Sequence, residues 1–183
     1  MVRWSAGTST LCNFCPNPQT LGHVVGACPA ALKDGRYTWR HNSILFNFAR
    51  VLIGAEFPSP SVISGEELRP DLIAIMEDRV FVMELTVGFE PNLQKNSERK
   101  REKYAELLQK MPGTVSFLNL SMGAIGTIAK YARNYNDWMK EIGISEHESE
   151  RLIRKVINIT MRSTYYIFCR RDQPWTQPKL LHW

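Results

Sequence analysis

Four residues able to bind a metal ion fall within 17 positions near the start of the chain, and they constrain its local fold more than any other feature. Their spacing is Cys12-x2-Cys15-x7-His23-x4-Cys28. A Cys-x2-Cys turn supplies two ligands of a tetrahedral zinc site. A segment this short buries little apolar surface, so metal binding would supply its folding free energy. The sequence therefore predicts a structural Zn²⁺ site of the CCHC knuckle type in a module over residues 1–36.

A disulfide is the competing interpretation of these cysteines. Three cysteines leave one thiol unpaired, and the remaining Cys169 lies far along the chain, where we expect a plain buried thiol. The N-terminus lacks the apolar region of a signal peptide, and no apolar run approaches the roughly 20 residues of a membrane helix. We therefore expect an intracellular, reducing location with no membrane partner, and the spacing favours zinc.

The rest of the chain, residues 37–183, alternates between helical and strand-like patterns. Ser145 and Glu148 form a capping box, which predicts the start of a last long helix. The order of elements predicts an α/β domain with a mixed sheet flanked by helices. Before it, the sequence predicts helices at 39–53, 93–111 and 128–142. It predicts strands at 71–76, 79–87 and 114–120, so the order is helix, strand, strand, helix, strand, helix.

Two carboxylates are predicted to face each other on neighbouring strands. Only residues 77–78 separate the two strand-like runs, so a two-residue turn sets Asp71 opposite Glu84, with Cβ atoms about 4.5–5.5 Å apart. Glu84 stands in an otherwise apolar strand, where a carboxylate is costly unless it is paired, protonated or bound to metal. The pair predicts a site for Mg²⁺ or Mn²⁺. An exposed edge hairpin with both acids in water is the alternative.

The charged helix carries a lysine on its apolar face. At 100° per residue, Lys100 lies within about 40° of Tyr104 and Leu107, so it projects toward the sheet. A lysine aimed inward meets an acid or takes part in chemistry, whereas a snorkelling lysine packs only its stem. Lys103 flanks the same face, and helix geometry favours Lys100 over Lys103 as the chemical group.

Arg40, His41 and Asn42 open the first long helix, with His41 on its apolar face. A core histidine with one hydrogen bond and a DNA-phosphate contact made by Arg40 and His41 are both consistent with this position. The net charge of +5 suits a polyanion partner. The charge is concentrated near the C-terminus, where residues 150–183 hold seven basic and two acidic side chains.

In combination, these motifs resemble the restriction-like endonuclease domain of site-specific non-long-terminal-repeat retrotransposons, which belongs to the PD-(D/E)xK nuclease superfamily. The similarity runs from about Cys12 to Arg171. The resemblance implies the restriction-endonuclease-like core, with Asp71 and Glu84 as catalytic Mg²⁺ ligands and Lys100 and Lys103 as catalytic lysines. The residues that it implies for DNA binding are Arg40, His41, Asn42, Arg69 and Tyr104. The chain departs from the superfamily at Thr86, where a lysine is usual, and Lys100 would occupy the same space from the helix.

By this resemblance, the protein nicks double-stranded DNA and leaves a 3′-hydroxyl that primes reverse transcription. The expected partners are target DNA, element RNA and a reverse transcriptase domain in a longer parent protein, and the expected location is the nucleus. Two alternatives stay open: a zinc module that binds nucleic acid without cleaving it, and a resolvase that selects branched DNA such as Holliday junctions.

Overall fold

The computed structural model describes residues 11–53, 70–76, 78–128 and 135–181. Within them, a π-helical turn at His23–Ala27 precedes the first α-helix, and a 3₁₀ turn at Glu90–Asn92 precedes the third. The helices are α1 (Pro29–Lys33), α2 (Arg36–Ile53), α3 (Leu93–Lys110), α4 (Tyr135–Glu141) and α5 (Glu146–Cys169). The strands are β1 (Leu72–Met76), β2 (Arg79–Gly88) and β3 (Thr114–Gly123).

The three strands form one mixed sheet in the order β1-β2-β3. β1 and β2 pair antiparallel, with Met76 opposite Arg79 and Leu72 opposite Met83, which is the predicted hairpin register. β2 and β3 pair in parallel, and β3 runs to Gly123 because it follows β2 as far as Gly88. The predicted α/β class, with a mixed sheet flanked by helices, is confirmed.

Alternate residues of β2 face two different helical layers. The odd-numbered residues from Phe81 to Leu85 pack with buried residues of α2, α4 and α5, whereas Val80 and Val82 pack with buried residues of α3. Successive side chains of a strand point to opposite faces, so Glu84 lies on the α3 side of the sheet. The fold thus places this acid under a helix that is rich in basic residues.

Most predicted elements appear near their expected bounds. Ser145 accepts a hydrogen bond from the Glu148 amide, and the full capping box begins α5. Two expectations are wrong. Ile128, expected in a helix, bridges Met122 in extended conformation. Cys169, expected to be buried, is exposed because it falls on the solvent face of α5.

The segment that carries the Cys/His residues packs directly on the α/β core. Val24 and Val25 are buried, and the Val25 carbonyl accepts a hydrogen bond from Arg40 on α2. The Asp172 side chain, beyond the end of α5, accepts hydrogen bonds from Asn13 and Gln19. Contacts therefore cross the predicted boundary between residues 1–36 and 37–183.

The C-terminal residues run back along α2 and make hydrogen bonds with its side chains. Arg36 donates to the carbonyls of Arg170 and Gln173, and Trp39 donates to the carbonyl of Lys179. No helix in the described part of the chain combines the length and apolar character needed to cross a membrane.

Candidate functional site

The four predicted zinc ligands converge on one point. The Cys28 Sγ atom lies 3.9 Å from the Sγ atoms of both Cys12 and Cys15, and the Cys15 Sγ lies 3.2 Å from His23 Nε2. All four ligand atoms lie within 4.8 Å of one another. Zinc bound tetrahedrally to sulfur and nitrogen at about 2.0–2.3 Å holds its ligand atoms about 3.5–3.8 Å apart. The cluster is therefore close enough to bind a metal and is compatible with structural zinc.

Residues around the cluster hold it in shape. The Tyr37 hydroxyl accepts a hydrogen bond from the Cys28 amide and donates to the Val24 carbonyl at 2.9 Å. Burial raises the pKa of the Tyr37 hydroxyl to about 12. A hydrogen bond from the Asn17 backbone lowers the pKa of the Cys15 thiol, which favours the thiolate that zinc requires.

A second cluster forms where β1, β2, α2 and α3 meet. Asp71 directly precedes β1, and its amide donates to Glu84 Oε2 at 3.3 Å, as expected for residues that face each other. Lys100 lies two turns into α3, and its ammonium contacts Glu84 Oε1. The Tyr104 hydroxyl, one turn further along α3, also hydrogen-bonds the Glu84 carboxylate.

The Glu84 carboxylate is the most deeply buried acid of this cluster, with 1% of the residue exposed. Burial raises its pKa, and the neighbouring charge of Asp71 raises it further. Hydrogen bonds and charge from Lys100 and a hydrogen bond from Tyr104 act in the opposite direction. A buried carboxyl perturbed by burial and by a second acid is typical of functional sites.

The Asp71 carboxylate connects the strands to α2. Its Oδ2 accepts hydrogen bonds from the Leu85 amide at 2.7 Å and from His41 Nε2 at 3.1 Å. His41 Nδ1 lies 3.2 Å from Asn42 Oδ1, so both ring nitrogens face acceptors. Burial lowers the pKa of His41, but the hydrogen bond and charge of Asp71 outweigh burial, and the net pKa is raised.

The structure thus brings six of the predicted site residues into contact, and it places others apart from them. Lys103 is exposed, with its Nζ 5.1 Å from the Tyr104 ring centroid, on the outer side of the helix. Arg69 lies outside the described residues. The residues in contact are His41, Asn42, Asp71, Glu84, Lys100 and Tyr104.

Arg40 lies inside the protein, although the resemblance implies a DNA contact. Only 1% of the residue is exposed, and its Nη1 donates to the Val25 carbonyl at 2.8 Å and to Thr164 Oγ1 at 3.0 Å. Burial lowers the pKa of the guanidinium to about 10. Tyr104 is equally buried, and its hydroxyl hydrogen-bonds the Glu84 carboxylate. These positions do not fit phosphate contacts, and we give both residues a structural role.

Polar residues that the sequence analysis did not single out extend the cluster beneath α3. Asn119 lies beside Glu84 in the sheet and donates to the Ser97 carbonyl of α3 at 2.7 Å. Ser121 donates to Asn119 and lies beside Thr86. Alternation of these polar residues with leucines in β3 is the signal that could have revealed them.

Oxygen-bearing side chains lie close together in the second cluster. Asp71 and Glu84 face each other across the hairpin, where the Asp71 amide donates to Glu84 Oε2, and the buried Thr86 Oγ1, two residues beyond Glu84, has no hydrogen-bond partner among the described residues. Mg²⁺ and Mn²⁺ prefer such oxygen donors.

The fold and the clusters define a mixed α/β protein with a Cys₃His cluster that is close enough to bind a metal. Comparison with protein-family models gives no match, and comparison with curated proteins also gives none.

Proposed function

We propose that this protein is a Mg²⁺-dependent DNA endonuclease of the PD-(D/E)xK type. The observation that carries the proposal is the meeting of Asp71, Glu84 and Lys100, which come from three different elements. Two carboxylates are able to hold a metal, and an adjacent lysine is able to stabilise negative charge, so this set is able to support metal-assisted phosphodiester hydrolysis. Replacement of the superfamily lysine by Thr86 is consistent with this proposal because Lys100 reaches Glu84 from α3.

Each residue of the site has a role in the proposed reaction. Asp71 and Glu84 would hold the cation through carboxylate oxygens, and Lys100 would orient the attacking water and steady the scissile phosphate. A bound cation lowers the pKa of water and stabilises the charge that develops on the phosphate. The water oxygen would bond to phosphorus and lose a proton to solvent, the P–O3′ bond would break, and the departing O3′ would take up a proton from solvent, so the products are a 3′-hydroxyl and a 5′-phosphate.

A basic surface on α5 supports the choice of DNA as substrate. Burial lowers the pKa of Lys155, and the nearby charges of Arg50 on α2 and of Arg151 lower it further, so cations from two helices lie close together. Such a surface attracts the phosphate backbone. Exposed residues of the same helix include Arg151, Arg154, Arg162 and Tyr165.

In the wider proposal, the nick provides the primer for reverse transcription. Element RNA and a reverse transcriptase domain in a longer parent protein would then act on the same target, in the nucleus. This part depends only on the resemblance of motifs.

The direct test is nicking of supercoiled plasmid by the zinc-loaded chain in Mg²⁺. Asp71→Asn should abolish nicking, because it removes one of the two metal-binding carboxylates. Asp137→Asn, a matched change of an exposed acid on α4, should nick like the wild type. Nicking by the Asp71 variant at the wild-type rate would disprove the assigned site. Branched substrates in the same assay separate a nickase from a junction resolvase.

A second candidate function is nucleic-acid binding without cleavage. One observation favours it: Asp71 faces His41 and Glu84 faces Lys100, so each carboxylate has a basic partner within the protein. An internally balanced cluster is able to serve as a structural ion-pair network. In that case, DNA binding would persist, and added Mg²⁺ would cause no nicking by the wild type.

A further inference from the structure

We propose that His41 is a positioning residue that orients the Asp71 carboxylate, rather than a residue that contacts DNA. The inference rests on the proposed function for its catalytic consequence, but its structural part concerns only this chain. His41 projects from α2, and Asp71 precedes β1, so their contact connects the helical layer to the acid-bearing end of the hairpin.

Both ring nitrogens of His41 are already engaged. Nε2 lies 3.1 Å from Asp71 Oδ2, and Nδ1 lies 3.2 Å from Asn42 Oδ1. A carboxylate accepts hydrogen bonds, so Nε2 carries the proton and donates it. Asn42 Oδ1 accepts a hydrogen bond from Nδ1 when that nitrogen also carries a proton. Neither nitrogen is left for a phosphate, although 24% of the side chain is exposed.

The bond from His41 completes the restraint of the Asp71 side chain. The Leu85 amide donates to Oδ2 at 2.7 Å, and His41 donates to the same oxygen. Two donors that reach one oxygen from different elements fix the rotation of the carboxylate. Oδ1 has no hydrogen bond among the described residues, and it is the oxygen that remains for a metal.

The backbone that carries His41 is itself held firmly. Its neighbour Arg40 is buried and donates to Val25 and Thr164, and Ile44 on the next turn is completely buried. The imidazole therefore projects from a fixed part of α2. A residue that hydrogen-bonds a metal ligand from a rigid element typically affects metal affinity or activity by about 10- to 100-fold.

The structural part is tested by the backbone amide signals of the zinc-loaded chain in ¹H–¹⁵N NMR spectra without added Mg²⁺. In His41→Gln, the amide nitrogen replaces Nε2 and keeps a donor for Asp71. In His41→Asn, the shorter side chain cannot reach it. We expect the Leu85 amide signal to shift in His41→Asn and to return toward its wild-type position in His41→Gln. An unchanged Leu85 signal in a folded His41→Asn variant would overturn the inference.

The functional part is tested with two measurements on the same variants. Mn²⁺ binding by calorimetry should weaken about 10- to 100-fold in His41→Asn and recover in His41→Gln. In plasmid nicking, kcat should fall in His41→Asn while KM for DNA stays constant. A rise in KM at constant kcat in both variants would instead make His41 a DNA contact and overturn the inference.

The two proposals fail in different ways. If the wild type neither binds Mn²⁺ nor nicks DNA, the proposed nuclease function fails, and the Leu85 signal still decides whether His41 orients Asp71. If the wild type nicks DNA and His41→Asn matches it in kcat and Mn²⁺ affinity, the positioning role fails while the nuclease assignment stands.

Discussion

Lys100 on α3 contacts Glu84 in the middle of β2, and this pair joins the helix to the sheet at the acidic cluster. Glu84 is almost completely buried, whereas Lys100 is partly exposed. When the acid is buried and the lysine is partly exposed, the charged form of the acid needs the lysine, because a buried carboxylate without its partner costs free energy.

We predict that Lys100→Met destabilises the protein by about 3 kcal/mol near pH 8, because it leaves Glu84 buried with an uncompensated charge. The folded-state pKa of Glu84 is already raised, and removal of Lys100 raises it further. A carboxyl with a raised pKa favours the folded state at low pH, and that contribution is lost as pH rises through the folded-state pKa. The deficit measured by urea unfolding should therefore shrink toward pH 5. Lys95→Met, an exposed change on α3, should be nearly neutral, and equal losses in both variants would contradict the pairing.

Zinc removal should unfold the N-terminal part of the protein. We expect about one zinc per chain by atomic absorption. Cys28→Ser should lose this zinc, because the Cys28 Sγ lies 3.9 Å from the Sγ atoms of both Cys12 and Cys15. Cys169→Ser is the matched control, since this thiol is exposed and lies outside the cluster. Zinc retained in Cys28→Ser, or lost in Cys169→Ser, would contradict the assigned ligands.

Arg40→Ala should reduce stability rather than act selectively on DNA binding. The change leaves the Val25 carbonyl and Thr164 Oγ1 without their donor, and each buried unsatisfied polar group costs about 1–3 kcal/mol. Urea unfolding should therefore show a loss of about 2 kcal/mol or more. Arg154→Ala on the surface of α5 should change the free energy of unfolding by less than about 1 kcal/mol. A fully stable Arg40→Ala variant with weakened DNA binding would contradict the structural role and support a phosphate contact made by Arg40.

The basic face of α5 should account for part of the salt dependence of DNA binding. Arg151→Gln removes one exposed cation, so the slope of log K against log salt should become shallower by about 0.9. Lys110→Gln serves for comparison, because Glu106 already pairs with that lysine. Titrations by fluorescence anisotropy at several salt concentrations measure both slopes. Identical slopes in the wild type and Arg151→Gln would show that Arg151 does not contact the DNA backbone.

The capping box should make a measurable contribution to α5. Ser145→Ala removes the acceptor of the Glu148 amide, which costs about 1 kcal/mol in the free energy of unfolding. Hydrogen bonds from Ser145 lower the pKa of Glu148, so its contribution is present at neutral pH and is lost as pH falls through that lowered pKa. Thermal unfolding at pH 7 and pH 3 checks this, since the effect of Ser145→Ala should be smaller at pH 3.

The sequence alone determined the features that depend on short-range periodicity. The two-residue turn and strand alternation predicted the hairpin register, and with it the meeting of Asp71 and Glu84. Helical phase predicted that Lys100 projects toward the sheet, and ligand spacing predicted the Cys₃His cluster. These relations are set by backbone geometry within one or two elements, so the amino-acid sequence is sufficient to derive them.

Only the tertiary structure decided which distant side chains meet. Arg40 and His41 are neighbours on α2, but the first is buried against Val25 and Thr164, and the second faces Asp71. The contact between Asn119 and Ser97 likewise depends on how α3 packs over β3. Such contacts depend on the relative placement of elements in the core, because periodicity identifies the face of a helix but not the element that covers it.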